Sequence, residues 1–337
     1  MKKIILCLSV LLGLVSLTAC EENTSITYVD SNGEEQTLKV TATEDKETIQ
    51  TVMDFASKAN YDEIDSFTLK ETISVSANFS NDFTGLLGWE SKAKLLGSAD
   101  MTLSASKKEG LDLSASGQLS IGKEISSFSV DALYEGELEK MPTSKEYLYL
   151  DASYASDSSR EVIKRAIHPM TLIDELEDEI FSKFFPTNIP SIGDGMGSMT
   201  VEEFYKTFEN SKLVISGVKN GVIYLEVTLA LKDVLKQIDV DKAELNTLLS
   251  KISFTCTYGI EASTGRFCEF GFVFDNAEAI NALVLNYIGN IFATAPSSEL
   301  TLVESFLLES KLAIKYNKAT IRTLSASEKA KYEVIED

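Results

Sequence analysis

Along residues 67–79 apolar and polar side chains alternate: Phe67, Leu69, Ile73, Val75, Ala77 and Phe79 are set against Thr68, Lys70, Thr72, Ser74, Ser76 and Asn78. Successive side chains of a strand point to opposite faces. A period of two therefore fits a strand with one face covered and the other wet, and does not fit a helix. The same period returns at 99–105, at 111–121 after a Lys-Lys-Glu-Gly turn, at 128–134 and at 147–154. It returns again at 212–218 and 223–229, which flank Asn220-Gly221, a pair suited to the positive φ angles of a two-residue hairpin turn. Residues 251–260 and 270–274 flank Ser263-Thr264-Gly265, and 26–29 and 36–40 flank Asp30-Ser31-Asn32-Gly33. Residues 300–316 fit one long strand, with helix an alternative over 298–309. Alternating strands joined by short turns make an antiparallel sheet with one covered face.

Helical periods interrupt this pattern. Thr43 is placed to cap a helix whose Ile49, Val52, Met53, Ala56 and Ala59 form one stripe. Residues 158–167 read as a short helix. Thr171 can cap another over 172–185, with Ile173, Leu176, Ile180 and Phe184 on one face and Pro186 to stop it. Thr200-Val201-Glu202-Glu203 is a capping box opening a third. A helical stretch spans about 231–250. Asp275 and Glu278 cap a helix presenting Ile280, Leu283, Val284, Tyr287, Ile288 and Ile291. The expectation is a single α+β domain over 26–324. It has about ten antiparallel strands, helices covering one face, a helical insert near 158–210 and a charged C-terminal tail or helix at 325–337.

The N-terminus sets the compartment. Met1-Lys2-Lys3 is short and positive, the run from Ile4 to Leu17 is apolar and uncharged, and Ser16-Leu17-Thr18-Ala19-Cys20 closes it with small residues. About 14 apolar residues behind one-sided positive charge read as a signal peptide over 1–19, since a bilayer span needs roughly 20. Leu17-Thr18-Ala19-Cys20 resembles the lipobox of bacterial lipoproteins. That resemblance implies cleavage before Cys20, acylation of its thiol by palmitate-like chains, and a protein held on the extracytoplasmic face of the cell membrane by Cys20. Two acyl chains anchor stably where one binds only marginally. Residues 20–25 are then a short tether. An ordinary secreted protein with a cysteine at the cut is the alternative.

The formal charge is −21, and loss of Lys2 and Lys3 takes it to −23. So acidic a chain repels phosphate backbones, which argues against a nucleic-acid partner. Once Cys7 leaves with the leader and Cys20 is lipidated, Cys256 and Cys268 remain. A three-residue turn at 263–265 pairs Ile260 with Cys268 and Cys256 with Phe272. The two sulfurs then lie two same-face pairs apart, beyond the Cα separation of about 7 Å that a disulfide bridges. Both are expected as free, buried thiols.

Catalytic and metal signatures are weak, and the reading is of a non-enzymatic chain without cofactor or metal. His168, before Pro169, is the only histidine and reads as a surface or loop residue. Asp174, Glu175, Glu177, Asp178 and Glu179 read as a solvated face. Asp239-Val240-Asp241 lacks the glycine and distant glutamate of a calcium loop. The run from Gly193 to Ser198 lacks the lysine of a phosphate loop. Ser104 and Lys107 have Ser-x-x-Lys spacing without its companion motifs. Phe83-Thr84-Gly85-Leu86-Leu87-Gly88-Trp89 is an apolar loop, which folds under as core, touches a membrane or gates an apolar cavity. The apolar sheet face is relieved by Ala77, Ala99, Ala105, Ala115 and Gly117, small residues that leave room for closer helix packing or for a ligand.

The lipobox, an amphipathic helix at 43–60, one-sided strands and helices returning over them together resemble the LolA/LppX-like lipoproteins. The segments most like them are 67–79 and the hairpin 251–274. The resemblance implies a curved, half-barrel-like sheet with helices in its mouth and a lipidic molecule in between. Fold alone does not fix function. On this reading Leu225, Val227, Phe254, Tyr258, Phe270 and Phe272 form the wall of a site for a lipid or other hydrophobic ligand. Met53, Ile280, Leu283 and Tyr287 face it from the helices, and Leu87 and Trp89 gate it. The alternative is a structural or interaction lipoprotein, adhesin- or scaffold-like, whose core is filled and whose protein partner is unknown.

Overall fold

The computed structural model describes residues 23–30, 32–86, 93–169, 200–233, 252–292 and 300–335. The described residues are mostly β. Their strands are β1 (Thr24–Val29), β2 (Glu35–Val40), β3 (Ser66–Phe79), β4 (Lys94–Ser106), β5 (Gly110–Ile121), β6 (Glu124–Glu135) and β7 (Leu148–Ser156). There follow β8 (Arg160–Ile167), β9 (Lys212–Lys219), β10 (Val222–Ala230), β11 (Ser253–Glu261), β12 (Phe267–Phe274), β13 (Val303–Tyr316) and β14 (Glu333–Ile335). Five helices are described: α1 (Lys46–Ser57), α2 (Asn81–Leu86), α3 (Val201–Thr207), α4 (Ala277–Phe292) and α5 (Ala326–Lys329). A 3₁₀ turn spans Leu138–Thr143.

β1 and β2 form a separate hairpin, and the other strands make one 12-stranded sheet in the order β14-β8-β7-β6-β5-β4-β3-β13-β12-β11-β10-β9. Two meanders build it, β3 to β8 and β9 to β13. They are joined where β13 lies antiparallel to β3 from Tyr316↔Phe67 to Val303↔Phe79. The sheet is not closed, and because β14 runs parallel to β8 it is mixed. The alternation in the sequence places most of these strands, and most hairpin turns have the residues their backbone needs. Asn220 and Gly221 have φ of 51° and 75°, and Gly265 has φ of 72°.

The sequence-based expectations need correction at several points. The sheet has twelve strands rather than about ten. Residues 160–167, expected as helix, are strand β8. Val162 and Ile163 are β-branched and fit a pleated edge better than a helix. The cap of α1 is Asp45, whose side chain accepts from the Thr48 backbone N–H, while Thr43 forms an isolated bridge to Ile215 of β9. The cap of α4 is Asn276, whose Oδ1 accepts from the Ala279 N–H at 2.9 Å. A bulge pairs Ile260 with Phe267 rather than Cys268. The helix at 172–185 and most of the stretch at 231–250 lie outside the described residues.

Paired residues share a face, so the register divides the sheet into two surfaces. Over β9–β11 the apolar surface is sealed. Ile26 and Val40 of the hairpin, Ile49, Val52 and Met53 of α1, and Val201 and Phe204 of α3 pack with Leu213, Ile215, Leu225 and Val227 in one buried cluster. At one end of β5–β7 the 3₁₀ turn lays Leu138 and Met141 on Ala132, Tyr134 and Leu148. On the opposite surface the C-terminal segment forms a strap. Ile321, Leu324 and Tyr332 pack on Leu133, Tyr149 and Ala166, and Arg322 and Lys329 pair with Asp112 and Glu135. The strap ends as β14, so the expected tail is built into the sheet.

Candidate functional site: the apolar face of the large sheet

Two rows of paired residues cross the sheet. One runs Leu225, Tyr258, Phe270, Leu312, Glu71, Met101, Ala115, Val130, Ala152, Ile163. The other runs Val227, Cys256, Phe272, Ser310, Ile73, Ala99, Gly117, Phe128, Tyr154. Each row begins in the sealed core on β10 and leaves it on the way to β8. Past β13 large apolar residues emerge on both faces, Leu96, Ile125 and Val162 on one and a larger set of five on the other: Ile73 is 40% exposed, Leu119 44%, Phe128 45%, Tyr154 45% and Ile163 42%. All five lie on the same face, because Leu119 belongs to the neighbouring row through Gly97 and Val75. Isolated exposed apolar residues are ordinary, but a contiguous set on one face marks an interaction or ligand surface.

The small residues shape this strip. A Cβ on Gly117 would stand 2.5 Å from Phe128 Cε1, and one on Gly97 would stand 2.7 Å from Val75 Cγ1 and 3.2 Å from Leu119 Cδ1. The Phe128 ring therefore lies across Gly117, and Val75 and Leu119 lie across Gly97. Larger side chains fold down over the glycines and leave a low, smooth apolar floor, where the sequence alone left open a space for helices or ligand.

The expected site residues separate into groups. Met53, Leu225 and Val227 are 6%, 3% and 2% exposed within the sealed cluster, and Tyr258 packs against it. The sequence reading put them on a cavity wall, and the structure puts them in packed core. The reason is the β1–β2 hairpin. Its Ile26 and Val40 occupy the space over β9–β11 that the sequence pattern left free for a ligand. Burial pushes the Tyr258 phenol up to about 12. Phe254, Phe270 and Phe272 stay half-buried on the same face, with Phe254 and Phe272 rings 5.7 Å apart and Tyr258 and Phe270 rings 5.3 Å apart. They form an aromatic band between the sealed end and the open strip. Ile280 of α4 is half-buried; the side chains of Leu283 and Tyr287, and Leu87, Trp89 and Cys20 altogether, lie outside what is described. Sequence reasoning missed Ile73, Leu119, Phe128, Tyr154 and Ile163 as site residues. Their signal was the alternation itself, which marks the apolar face and not where it is covered.

No clustered chemistry competes with this surface among the described residues. Among the described residues no three His, Cys, Asp or Glu side chains are placed to hold a metal ion. Ser104 shares a hydrogen bond with Thr68, and Lys107 pairs with Asp65 at 3.7 Å, so the Ser-x-x-Lys spacing joins nothing. His168 stacks edge-on with Tyr147 at 6.5 Å. Cys256 and Cys268 are free and buried. Burial first, with Glu261 and Glu269 nearby, pushes the Cys268 thiol up to about 12. A thiol so placed is inert. Two open clefts, of about 520 and 500 Å³, lie away from the strip's centre, one beside Tyr28 and Phe55 and one beside Tyr61 and Tyr316.

No protein-family model matches the chain, and no curated protein matches it at a significant level.

Proposed function

We propose that the protein is a membrane-anchored, extracytoplasmic, non-enzymatic lipoprotein that binds a lipid or other hydrophobic ligand on the open apolar strip of its sheet. The observation that carries the reading is the shared face of Ile73, Leu119, Phe128, Tyr154 and Ile163 in a chain of net charge −21. An open sheet of twelve strands fits a curved half-barrel, with α1, α3 and the hairpin closing one end and the small residues at 97–117 on its inner floor. An acyl chain that buried about 300 Å² there would gain about 7 kcal/mol before association costs. The ligand site sits on β3–β8, next to the aromatic band, and not over β9–β11. The lipobox Leu17-Thr18-Ala19-Cys20 supports the anchor. Incorporation of labelled palmitate, lost in Cys20→Ser, tests it.

The test of the ligand is native mass spectrometry of residues 21–337 after gentle purification, followed by organic extraction. A co-purified lipid released on denaturation supports the reading. A bare mass, with no uptake when lipids are offered, sinks it. A structural or interaction lipoprotein is the second reading, favoured by the packed core around Leu225 and Val227. In that case the strip meets a protein partner.

A further inference from the structure

We infer that Glu71 selects the ligand's head group, so that the strip takes a long-chain amphiphile bearing an ammonium group; this rests on the ligand reading above. From β10 to β8 the residues that the registers place on the apolar face are uncharged, with four exceptions, of which Glu161 and Arg165 flank Ile163 on β8 near the sheet's edge. Glu124 stands at the hairpin end of β6, paired with Ile121. Glu71 stands in the middle of β3, paired with Leu312 on one side and Met101 on the other. It is half-buried, and the Ser310 hydroxyl donates to its Oε1 at 3.1 Å. Among the described residues Oε2 accepts no hydrogen bond.

A carboxylate set among apolar side chains costs free energy unless its acceptors are used. Ser310 uses one oxygen, and among the described residues the other is left for a ligand. An ammonium group there makes a short charge-assisted hydrogen bond with the carboxylate. A carboxylate or phosphate head without a donor meets repulsion from Glu71, and the one cation that the registers place on this face from β10 to β8 is Arg165, on β8 and five strands from Glu71. The overall charge of −21 points the same way.

The test is calorimetric titration of the mature chain with dodecylamine and dodecanoate below their micelle concentrations and with dodecanol below its solubility limit. Dodecylamine should bind about tenfold more tightly than dodecanol. Glu71→Gln should bring the two within twofold, Glu71→Asp should keep most of the preference, and Phe128→Asp should weaken all three. Equal binding of amine and alcohol, or a preference that survives Glu71→Gln, overturns the head-group inference and leaves the lipid reading standing. No binding by any of the three overturns both. Lysophosphatidylethanolamine binding tighter than dodecylamine supports the inference with a membrane phospholipid as source, and the reverse order supports it with a free amine.

Discussion

Truncating Leu225 separates a packed core from a ligand wall. The side chain is 3% exposed and sits among Met53, Ile215 and Val227 beneath α1 and the hairpin. Leu225→Ala removes three carbon groups, a transfer loss of about 2.4 kcal/mol. A residual cavity of about 50 Å³ adds about 1 kcal/mol, for a total near 3.5 kcal/mol. With a urea slope of about 3 kcal/mol/M, the unfolding midpoint should fall by about 1 M. Equilibrium urea unfolding followed by circular dichroism reads this directly, and titration of the variant with dodecylamine should change by less than about twofold. A midpoint lowered by less than about 0.3 M, together with clearly weakened ligand binding, would refute the reasoning and return Leu225 to the wall of a cavity.

Further predictions rest on single contacts. Asp233 is fully buried and accepts from the Asn210 N–H and Nδ2 at 2.8 Å and from the Ser211 hydroxyl at 3.1 Å, so Asp233→Ala should cost about 3 kcal/mol in chemical unfolding. The Thr48 hydroxyl and backbone N–H hold the Asp45 carboxyl below its ordinary 3.8. Its contribution to stability is therefore present above 3.8 and is lost as pH falls through the lowered value, so the midpoints of the native chain and Asp45→Ala should converge in acid. Burial raises Tyr224 and Tyr258 from 10.0 to about 12 and Cys268 from 9.0 to about 12. Their contribution is full below those ordinary values and is lost as pH rises through about 12. Unfolding monitored across pH 9–12 should show a steady fall, with thiol reagents reacting only as the chain opens. Gly117→Val should displace Phe128 and lower stability by about 1–3 kcal/mol, visible as a lowered thermal midpoint.

The strands were legible because a half-covered strand writes a period of two, and most turns carry the residues that their φ angles demand. Asn220-Gly221 and Ser263-Thr264-Gly265 both sit where the chain reverses. Strand β8 was not legible: its eight residues hold apolar and charged side chains on both faces, because it lies beside the short β14 at one edge of the sheet. Which part of the apolar face lies open was also hidden. Leu225 and Phe128 sit in matching alternations, and only the tertiary placement of Ile26, Val40 and α1 buries the first and leaves the second exposed. Glu71 broke the alternation of β3 in plain view, but its meaning depends on Ser310, 239 residues away.

The most direct measurement is photo-crosslinking with a dodecyl amphiphile carrying a diazirine at its chain end, followed by peptide mapping of the adducts. The account predicts adducts on the peptides that hold Leu119 and Phe128, two and three strands from Glu71 and so within about 15 Å of it, competed away by unlabelled dodecylamine and lost in Phe128→Asp. Adducts confined to the cleft beside Tyr28 and Phe55, or spread evenly over the chain and indifferent to competitor, would contradict it.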